Sequence, residues 1–134
     1  MKELEYPFDA AYIIKKRKSL KKALLADGTS RIRKKIAVLG GSTSDIVKTL
    51  ELFLLDAGIE PEFYESEYAQ YFQDAMFPDE TLLSFKPDIV FIHTTNRNVT
   101  DWPEMTDTTE QIDEKLHTEI NRFTAMWKSI AEKF

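Results

Sequence analysis

The fold is decided by residues 36–45, which read Ile-Ala-Val-Leu-Gly-Gly-Ser-Thr-Ser-Asp. Four successive apolar residues without polar alternation are typical of a strand that is buried on both faces of a parallel sheet. The two glycines allow a sharp turn, and Thr43 or Ser44 can cap a following helix that has Asp45 in its first turn. The stretch therefore predicts a strand, a glycine turn and a helix. It places Ser42 at the carboxyl end of the strand, where open α/β sheets bind their ligands.

Later segments continue this alternation of strand and helix. Apolar residues at helical spacing from 46 to 57, followed by Gly58, predict a helix. Residues 60–65 and 89–93 predict two further strands, and residues 80–85 predict a short helix between them. Right-handed crossovers between such units give a parallel sheet with the strand order 2-1-3. The predicted fold is thus α/β, with three layers in the order α/β/α.

Helices are also predicted at both ends of the chain, over residues 8–26 and 109–134. The second helix, capped by Asp107 or Thr108, would be ~39 Å long, which is more than a three-stranded sheet needs. The residues expected to face the core are Ile13, Leu20 and Leu24 in the first helix and Ile112, Leu116, Ile120, Phe123, Trp127, Ile130 and Phe134 in the last. The long helix and the open edge of an apolar third strand indicate that the chain is a fragment of a longer protein or associates with itself.

The composition is that of one globular domain covering residues 1–134. The chain has no cysteine, which excludes disulfides, thiolate metal sites and cysteine nucleophiles. It has no apolar run near the ~20 residues of a membrane span, and its first residues lack the apolar core of a signal peptide. We therefore expect a cytoplasmic protein, and the sequence indicates neither a metal site nor a resident cofactor.

Charge is distributed unevenly along the chain, whose formal net charge is −5. Residues 1–35 hold 11 Lys and Arg against 4 Asp and Glu, whereas the remaining residues hold 7 against 19. Such an acidic remainder argues against a broad nucleic-acid surface. The basic residues centre on the first helix, at Lys15, Lys16, Lys18 and Lys22. They form either a solvated outer face or a docking surface for an acidic protein or a phosphate-bearing ligand.

Polar residues follow the other two strands, at the same edge of the predicted sheet as Ser42. Residues 66–73 are polar and aromatic and include Tyr68 and Tyr71, a type of residue that more often packs than contacts a ligand. The third strand is followed by Thr-Thr-Asn-Arg-Asn, residues 94–98. The residues expected to contact a ligand at this edge are Gly41, Thr43, Ser44, Tyr68, Asn96 and Asn98.

The glycine turn matches none of the common nucleotide-binding loops. It lacks the Gly-Lys-Ser/Thr of a P-loop and the Gly-x-Gly-x-x-Gly of a dinucleotide-binding turn. A flavodoxin-type phosphate loop, with several hydroxyls before a helix, is partly matched, and Tyr68 or Trp102 could stack on a flavin. Asp45 in the first helical turn would oppose a phosphate there. An FMN-binding, flavodoxin-like module therefore stays one of the alternatives.

Ser42 also stands where a nucleophilic serine could act. The Gly41 N–H group and an asparagine of residues 94–98 would then be oxyanion donors. Such an enzyme needs a general base, and the chain has two histidines. His93 continues the apolar third strand and is predicted to be a buried, hydrogen-bonded core residue, while His117 falls in the middle of the last helix. An esterase or acyltransferase would therefore need a histidine from outside these residues.

Four segments resemble the N-terminal domain of FkbH-like proteins, a group within subfamily IIIC of the haloacid-dehalogenase (HAD) superfamily. They are residues 36–50, 63–68, 77–79 and 86–90, and the similarity extends over residues 31–101. In FkbH-like proteins of polyketide and polysaccharide biosynthesis, an SGNH-hydrolase-like α/β domain precedes a HAD-type phosphatase domain. The resemblance implies an SGNH-like fold, with such a phosphatase domain and an acyl carrier protein as partners.

The resemblance carries over only part of the family's chemistry. The phosphatase-type domain, associated with loading a glyceryl group onto a carrier protein, needs an Asp-x-Asp motif that this chain lacks. The SGNH pattern has Gly-Asp-Ser where this chain has Gly-Gly-Ser, ending at Ser42, and Asn96 matches the oxyanion asparagine. The Asp-x-x-His motif that supplies the base has no counterpart here.

Two functions follow from the resemblance. The first is a degenerate SGNH-like accessory domain that holds a carrier protein or an acyl or phosphate ligand. The alternative is an esterase or acyltransferase that depends on Ser42. A homodimer through the last helix or the edge of the third strand is a further expectation.

Overall fold

The computed structural model describes all 134 residues and contains one sheet of three parallel strands. β1 spans Ile32–Gly40, β2 spans Ile59–Glu65 and β3 spans Ile89–His93. Their order across the sheet is β2-β1-β3, so the predicted α/β fold and strand order are confirmed. β1 begins earlier than predicted because its largely polar first residues, Ile32 to Lys35, pair with β2 near an exposed end of the sheet.

Five helices accompany the sheet. They are α1 (Ala10–Ala26), α2 (Ser44–Asp56), α3 (Tyr71–Met76), α4 (Glu80–Phe85) and α5 (Thr109–Lys133). Single turns of 3-10 helix lie at Lys2–Leu4 and Asn96–Asn98. The four predicted helices are present, whereas α3 lies in a segment for which the sequence predicted none, because six residues are too few to show helical periodicity. None of the helices is long and apolar enough to cross a membrane.

Helices cover both faces of the central strand, which explains the unbroken apolar run at the end of β1. Ile36 and Val38 point toward α2, where they pack with Val47. Ala37 and Leu39 point to the opposite face and pack with residues of α3, α4 and α5. Successive side chains of a strand alternate between faces, so both sets must be apolar when both faces are covered.

α1 forms an outer layer, because it packs chiefly on α2. Ile13, Leu20 and Leu24 contact Leu52 and Leu55 of α2 in one buried cluster, which confirms the predicted core face of α1. The opposite face of α1 is exposed.

The last helix begins where predicted, with Thr108 as its cap, but it presents a different face to the core. Its buried residues include the polar Glu119 and Ser129. Ser129 donates a hydrogen bond to the carbonyl oxygen of Ala75 at 2.9 Å, and Glu119 accepts one from the N–H group of Thr100 at 3.2 Å. These contacts turn the helix, so the predicted core-facing stripe is wrong for four exposed members: Leu116 (50% exposed), Ile120 (61%), Trp127 (57%) and Phe134 (37%).

β3 lies at the edge of the sheet and is only partly covered. It pairs with β1 along one side only. Val90 and Ile92 pack in the cluster that includes α5 residues. On the opposite face, Ile89 and Phe91 are 46% and 41% exposed. The free edge of β3 and this face therefore form an uncovered apolar surface.

Candidate functional site

The turn after β1 requires glycine at its first position. Gly40 is paired with His93 of β3, and a Cβ at Gly40 would lie 2.7 Å from the carbonyl oxygen of His93 and 2.8 Å from Cγ2 of Thr43. At Gly41, a Cβ would meet nothing closer than Cε2 of Tyr68, at 4.0 Å. Gly40 thus lets β1 and β3 end side by side, while Gly41 leaves space in front of the turn.

The three hydroxyl residues of this turn differ in exposure. Ser42 and Ser44 are exposed. Thr43 is 3% exposed, and its Oγ1 donates a hydrogen bond to Oε2 of Glu65 at 3.3 Å. Thr43 occupies the position before α2, but its side chain makes no cap hydrogen bond, so the predicted hydroxyl cap is wrong. The hydroxyl of Thr43 instead ties the turn to the end of β2.

Tyr68 lies beside the glycine turn, in the segment that joins β2 to α3. Its side chain is 78% exposed, and Cε2 of its ring is the atom that approaches Gly41. The same segment is fixed by Ser66, which is buried and donates a hydrogen bond to Oδ2 of Asp74 at 2.5 Å. This bond fixes the backbone segment that carries Tyr68, and no sequence pattern predicts it.

The two asparagines after β3 have different surroundings. Oδ1 of Asn98 accepts a hydrogen bond from the N–H group of Thr95 at 2.7 Å, and Oγ1 of Thr95 accepts one from the N–H group of Arg97 at 3.2 Å. These two bonds close the 3-10 turn Asn96–Asn98. The side-chain oxygen of Asn98 is thus engaged within its own turn, whereas Asn96 is exposed.

Arg122 of α5 anchors this turn. Its Nη2 donates to the carbonyl oxygen of Asn98 at 2.5 Å and to Glu119 at 2.7 Å, and its Nη1 donates to the hydroxyl of Tyr71 at 3.2 Å. The guanidinium also lies over two phenylalanine rings. Arg122, followed by hydrogen bonds from Thr100, lowers the pKa of Glu119 to about 2. The network joins α3, α5 and the end of β3 into one unit.

Neither histidine forms a hydrogen bond with Ser42. His93 is only partly buried, and its ring lies 6.4 Å from that of Phe91 on the uncovered face of β3. Its prediction as a buried, hydrogen-bonded core residue is therefore wrong, because no helix covers that face. His117 is exposed, with its Nδ1 2.7 Å from the carbonyl oxygen of Asp113. The contacts of Ser42 thus include no general base.

The basic face of α1 is uncompensated in the structure. Its four predicted contact residues, which are exposed and form no ion pair, are Lys15, Lys16, Lys18 and Lys22. Two other basic residues of α1 do pair with α2, Arg17 with Asp45 at 2.9 Å and Lys21 with Glu51 at 2.7 Å. Pairing within the protein therefore occupies the basic residues that face α2 and leaves the outer lysines free.

A cavity of about 760 Å³ lies at the other end of the sheet, where β1 and β2 begin. Its lining is polar and is crossed by ion pairs such as that between Lys34 and Asp88 at 3.1 Å. Open α/β sheets bind ligands at the carboxyl ends of their strands, which is the opposite end. We therefore treat the turn after β1, with Tyr68 and Asn96, as the candidate ligand site and α1 as the candidate docking surface.

No family model and no curated protein matches this chain. Its fold is similar to the crystal structure of the N-terminal part of the protein BF1531 from Bacteroides fragilis, which contains a phosphatase domain and was determined with Mg. The TM-score is 0.60 at 20% identity, and the match covers 82% of this chain and 29% of that one. This chain thus spans less than a third of that structure's length. The similarity establishes the shared fold.

Proposed function

We propose that this chain is an accessory domain of an FkbH-like protein of polyketide or polysaccharide biosynthesis. In this role it holds an acidic acyl carrier protein, in the cytoplasm, for a HAD-type phosphatase domain. The observation that carries the proposal is the set of four unpaired lysines on α1 in a chain that is otherwise acidic. The fold shared with the N-terminal part of a phosphatase-domain protein supports it.

The lysines act in this proposal mainly on the encounter between the two proteins. Carrier-protein helices are negatively charged, so a patch of unpaired ammonium groups attracts them and orients the encounter. Charges on exposed side chains are screened over ~8 Å at physiological salt. Binding through α1 is therefore fast and weakens as salt is added.

The carboxyl edge of the sheet forms the second part of the proposal, a degenerate SGNH-like site for the acyl or phosphate end of the ligand. Ser42 and Ser44 offer exposed hydroxyls, and Gly41 leaves the space in front of them. Tyr68 is the exposed neighbour of this space, and Asn96 is exposed in the turn that follows the adjacent strand β3. Thr43 and Asn98 support the turns through the hydrogen bonds described above.

The first experiment reverses charge at one face of α1. Lys15, Lys18 and Lys22 share that face by helical spacing and are replaced by Glu. The matched control replaces three unpaired, exposed lysines elsewhere, Lys2, Lys86 and Lys128, so that the net charge is the same. Surface charge pairs contribute up to ~1 kcal/mol each, so carrier binding measured by calorimetry should fall tenfold or more in the first variant only. Equal binding by the two variants would refute the proposal.

A second candidate is catalysis by Ser42, favoured by its exposed hydroxyl directly before α2. In this candidate the base is a histidine from outside these 134 residues. A serine-directed phosphonate should then label the full-length protein and the control variant Ser44→Ala but not Ser42→Ala. Absence of labelling in the full-length protein would exclude an active serine.

The free edge of β3 and the exposed apolar residues of α5 are two proposed contacts with further protein, either the phosphatase domain or a second copy. Unprotected apolar edge strands readily pair with another strand. A homodimer through the edge of β3 would bury Phe91, and one through α5 would bury Ile120 and Trp127, so sedimentation equilibrium should find a dimer that either Phe91→Lys or Trp127→Lys dissociates. If the protein is monomeric at all concentrations, the proposed contact is with the phosphatase domain and not with a second copy.

A further inference from the structure

An apolar groove runs between α1 and α2 on the outer side of the molecule. It has a volume of about 520 Å³ and its apolar wall consists of Ile14, Ile46, Leu50 and Phe53. Ile14 is 56% exposed, although its neighbour Ile13 is fully packed in the core. The contacts that hold α1 on α2 use chiefly Leu52 and Leu55, and of the groove wall only Phe53 packs against the same cluster. Ile14, Ile46 and Leu50 therefore leave apolar surface in the groove that the core packing does not cover.

The charges around this groove have one sign on the α1 side. Arg17, paired with Asp45 across the groove, marks the boundary between the two helices. A second, shallower hollow on α1 is lined by Lys18, Lys21, Lys22, Leu25 and Ala26. Leu25 is 53% exposed and stands ~16 Å along the helix from Ile14. Two exposed apolar side chains thus flank a row of lysines over a length of about three helical turns.

We propose that this groove binds an acidic amphipathic helix. Its apolar side chains enter between α1 and α2 against Ile14 and Leu50, and its carboxylates pair with Lys15, Lys18 and Lys22. The inference rests on the proposed function, since it names the part of the docking surface that gives the carrier protein its apolar contact. Amphipathic helices that lie in apolar grooves are recognised through side chains at i, i+3, i+4 and i+7.

Charge decides which occupant fits. A second copy that offered this same face would bring lysines against lysines, which opposes association. An anionic lipid surface would satisfy the lysines but has no need of the groove. An acidic amphipathic helix uses both features, because its apolar side fits the groove while its carboxylates pair with the lysines beside it.

The test uses a fluorescein-labelled peptide of about 18 residues, with Leu at i, i+3, i+4 and i+7 positions and Glu at most others. A scrambled peptide of the same composition is the control ligand. Ile14→Ser removes an exposed apolar side chain, and Leu83→Ser, which is also at an exposed position (44%) but on α4, is the control variant. Fluorescence anisotropy should show tighter binding of the amphipathic peptide than of the scrambled one, weakened roughly fivefold by Ile14→Ser and unchanged by Leu83→Ser.

Three results would overturn the inference. They are equal binding of the two peptides, an affinity unaffected by Ile14→Ser, and displacement of the peptide by vesicles of anionic phospholipid but not of phosphatidylcholine. An acyl carrier protein is titrated in parallel. If the carrier protein binds equally well to wild type and Ile14→Ser, binding in the groove is refuted while the proposed function stands. If the peptide binds but the carrier does not, the groove stands and the proposed function is refuted.

Discussion

Replacing Arg122 with Met should loosen the turn that follows β3. The substitution removes the hydrogen bonds to the carbonyl of Asn98, to Glu119 and to the hydroxyl of Tyr71. Methionine keeps most of the apolar contact that the arginine stem makes. It leaves the Glu119 side chain, which is 10% exposed, without its cation. Breaking a fully buried ion pair costs ~3–5 kcal/mol of stability. Because the Arg122 side chain is 18% exposed, we expect the free energy of unfolding to fall by about 2 kcal/mol.

This loss can be measured as thermal unfolding followed by circular dichroism. For a chain of this size, about 2 kcal/mol lowers the Tm by roughly 6–10 °C. The matched control is Arg97→Met, at an exposed arginine of the same turn whose side chain forms no hydrogen bond or ion pair. Such a surface change should alter stability by less than ~0.5 kcal/mol. Equal Tm values for the two variants would refute the anchoring role of Arg122.

The pH dependence of the stability of Arg122→Met is a second test of the ion pair between Arg122 and Glu119. Arg122 lowers the pKa of Glu119 from its ordinary 4.5 to about 2, so the pair stabilises the fold above pH 4.5 and this stability is lost as the pH falls toward 2. The difference in Tm between wild type and Arg122→Met should therefore shrink over that interval. A difference that stayed constant down to about pH 3 would show that the ion pair contributes little.

Two further predictions concern the turn after β1. Gly40→Ala should lower the free energy of unfolding, measured in urea, by about 2 kcal/mol, because its Cβ would meet the carbonyl of His93 at 2.7 Å. Gly41→Ala should lower it by less than ~1 kcal/mol, because the nearest neighbour of that Cβ is 4.0 Å away. Equal losses would mean that the close approach of β1 and β3 is unimportant. FMN should not bind, because Asp45 places a carboxylate in the first turn of α2, where it repels phosphate. Quenching of flavin fluorescence on adding the protein would contradict this and favour the flavodoxin-like alternative.

The sheet was predictable because its central strand is buried on both faces. Residues 36–39 alternate between the two faces, and both faces are apolar, so the run is visible without any knowledge of its neighbours. The face of α5 was not predictable. Its orientation depends on hydrogen bonds from Ser129 to Ala75 and from Thr100 to Glu119, which are 54 and 19 residues apart in sequence. Hydrophobic periodicity contains no information on such bonds.

The candidate site, like the fold, was predictable from the sequence only in part. Strand order alone brings residues 40–44 and 94–98 to one edge of the sheet, since parallel strands end together. The partners of individual groups were not predictable, because the hydroxyl of Thr43 finds Glu65 and the guanidinium of Arg122 finds Asn98 through the folded chain. The lysines of α1 were visible in the sequence, and the structure adds that they are unpaired.

The proposed docking of an acidic carrier protein on α1 can be observed residue by residue by nuclear magnetic resonance. Isotope-labelled protein is titrated with an acyl carrier protein, and the backbone amide shifts are followed at low and at physiological salt. Docking on α1 should produce shifts concentrated at residues 14–25 and along the facing side of α2, and smaller shifts at higher salt. Unchanged α1 amides at saturating carrier protein, or shifts confined to the end of the sheet where β1 and β2 begin, would contradict it.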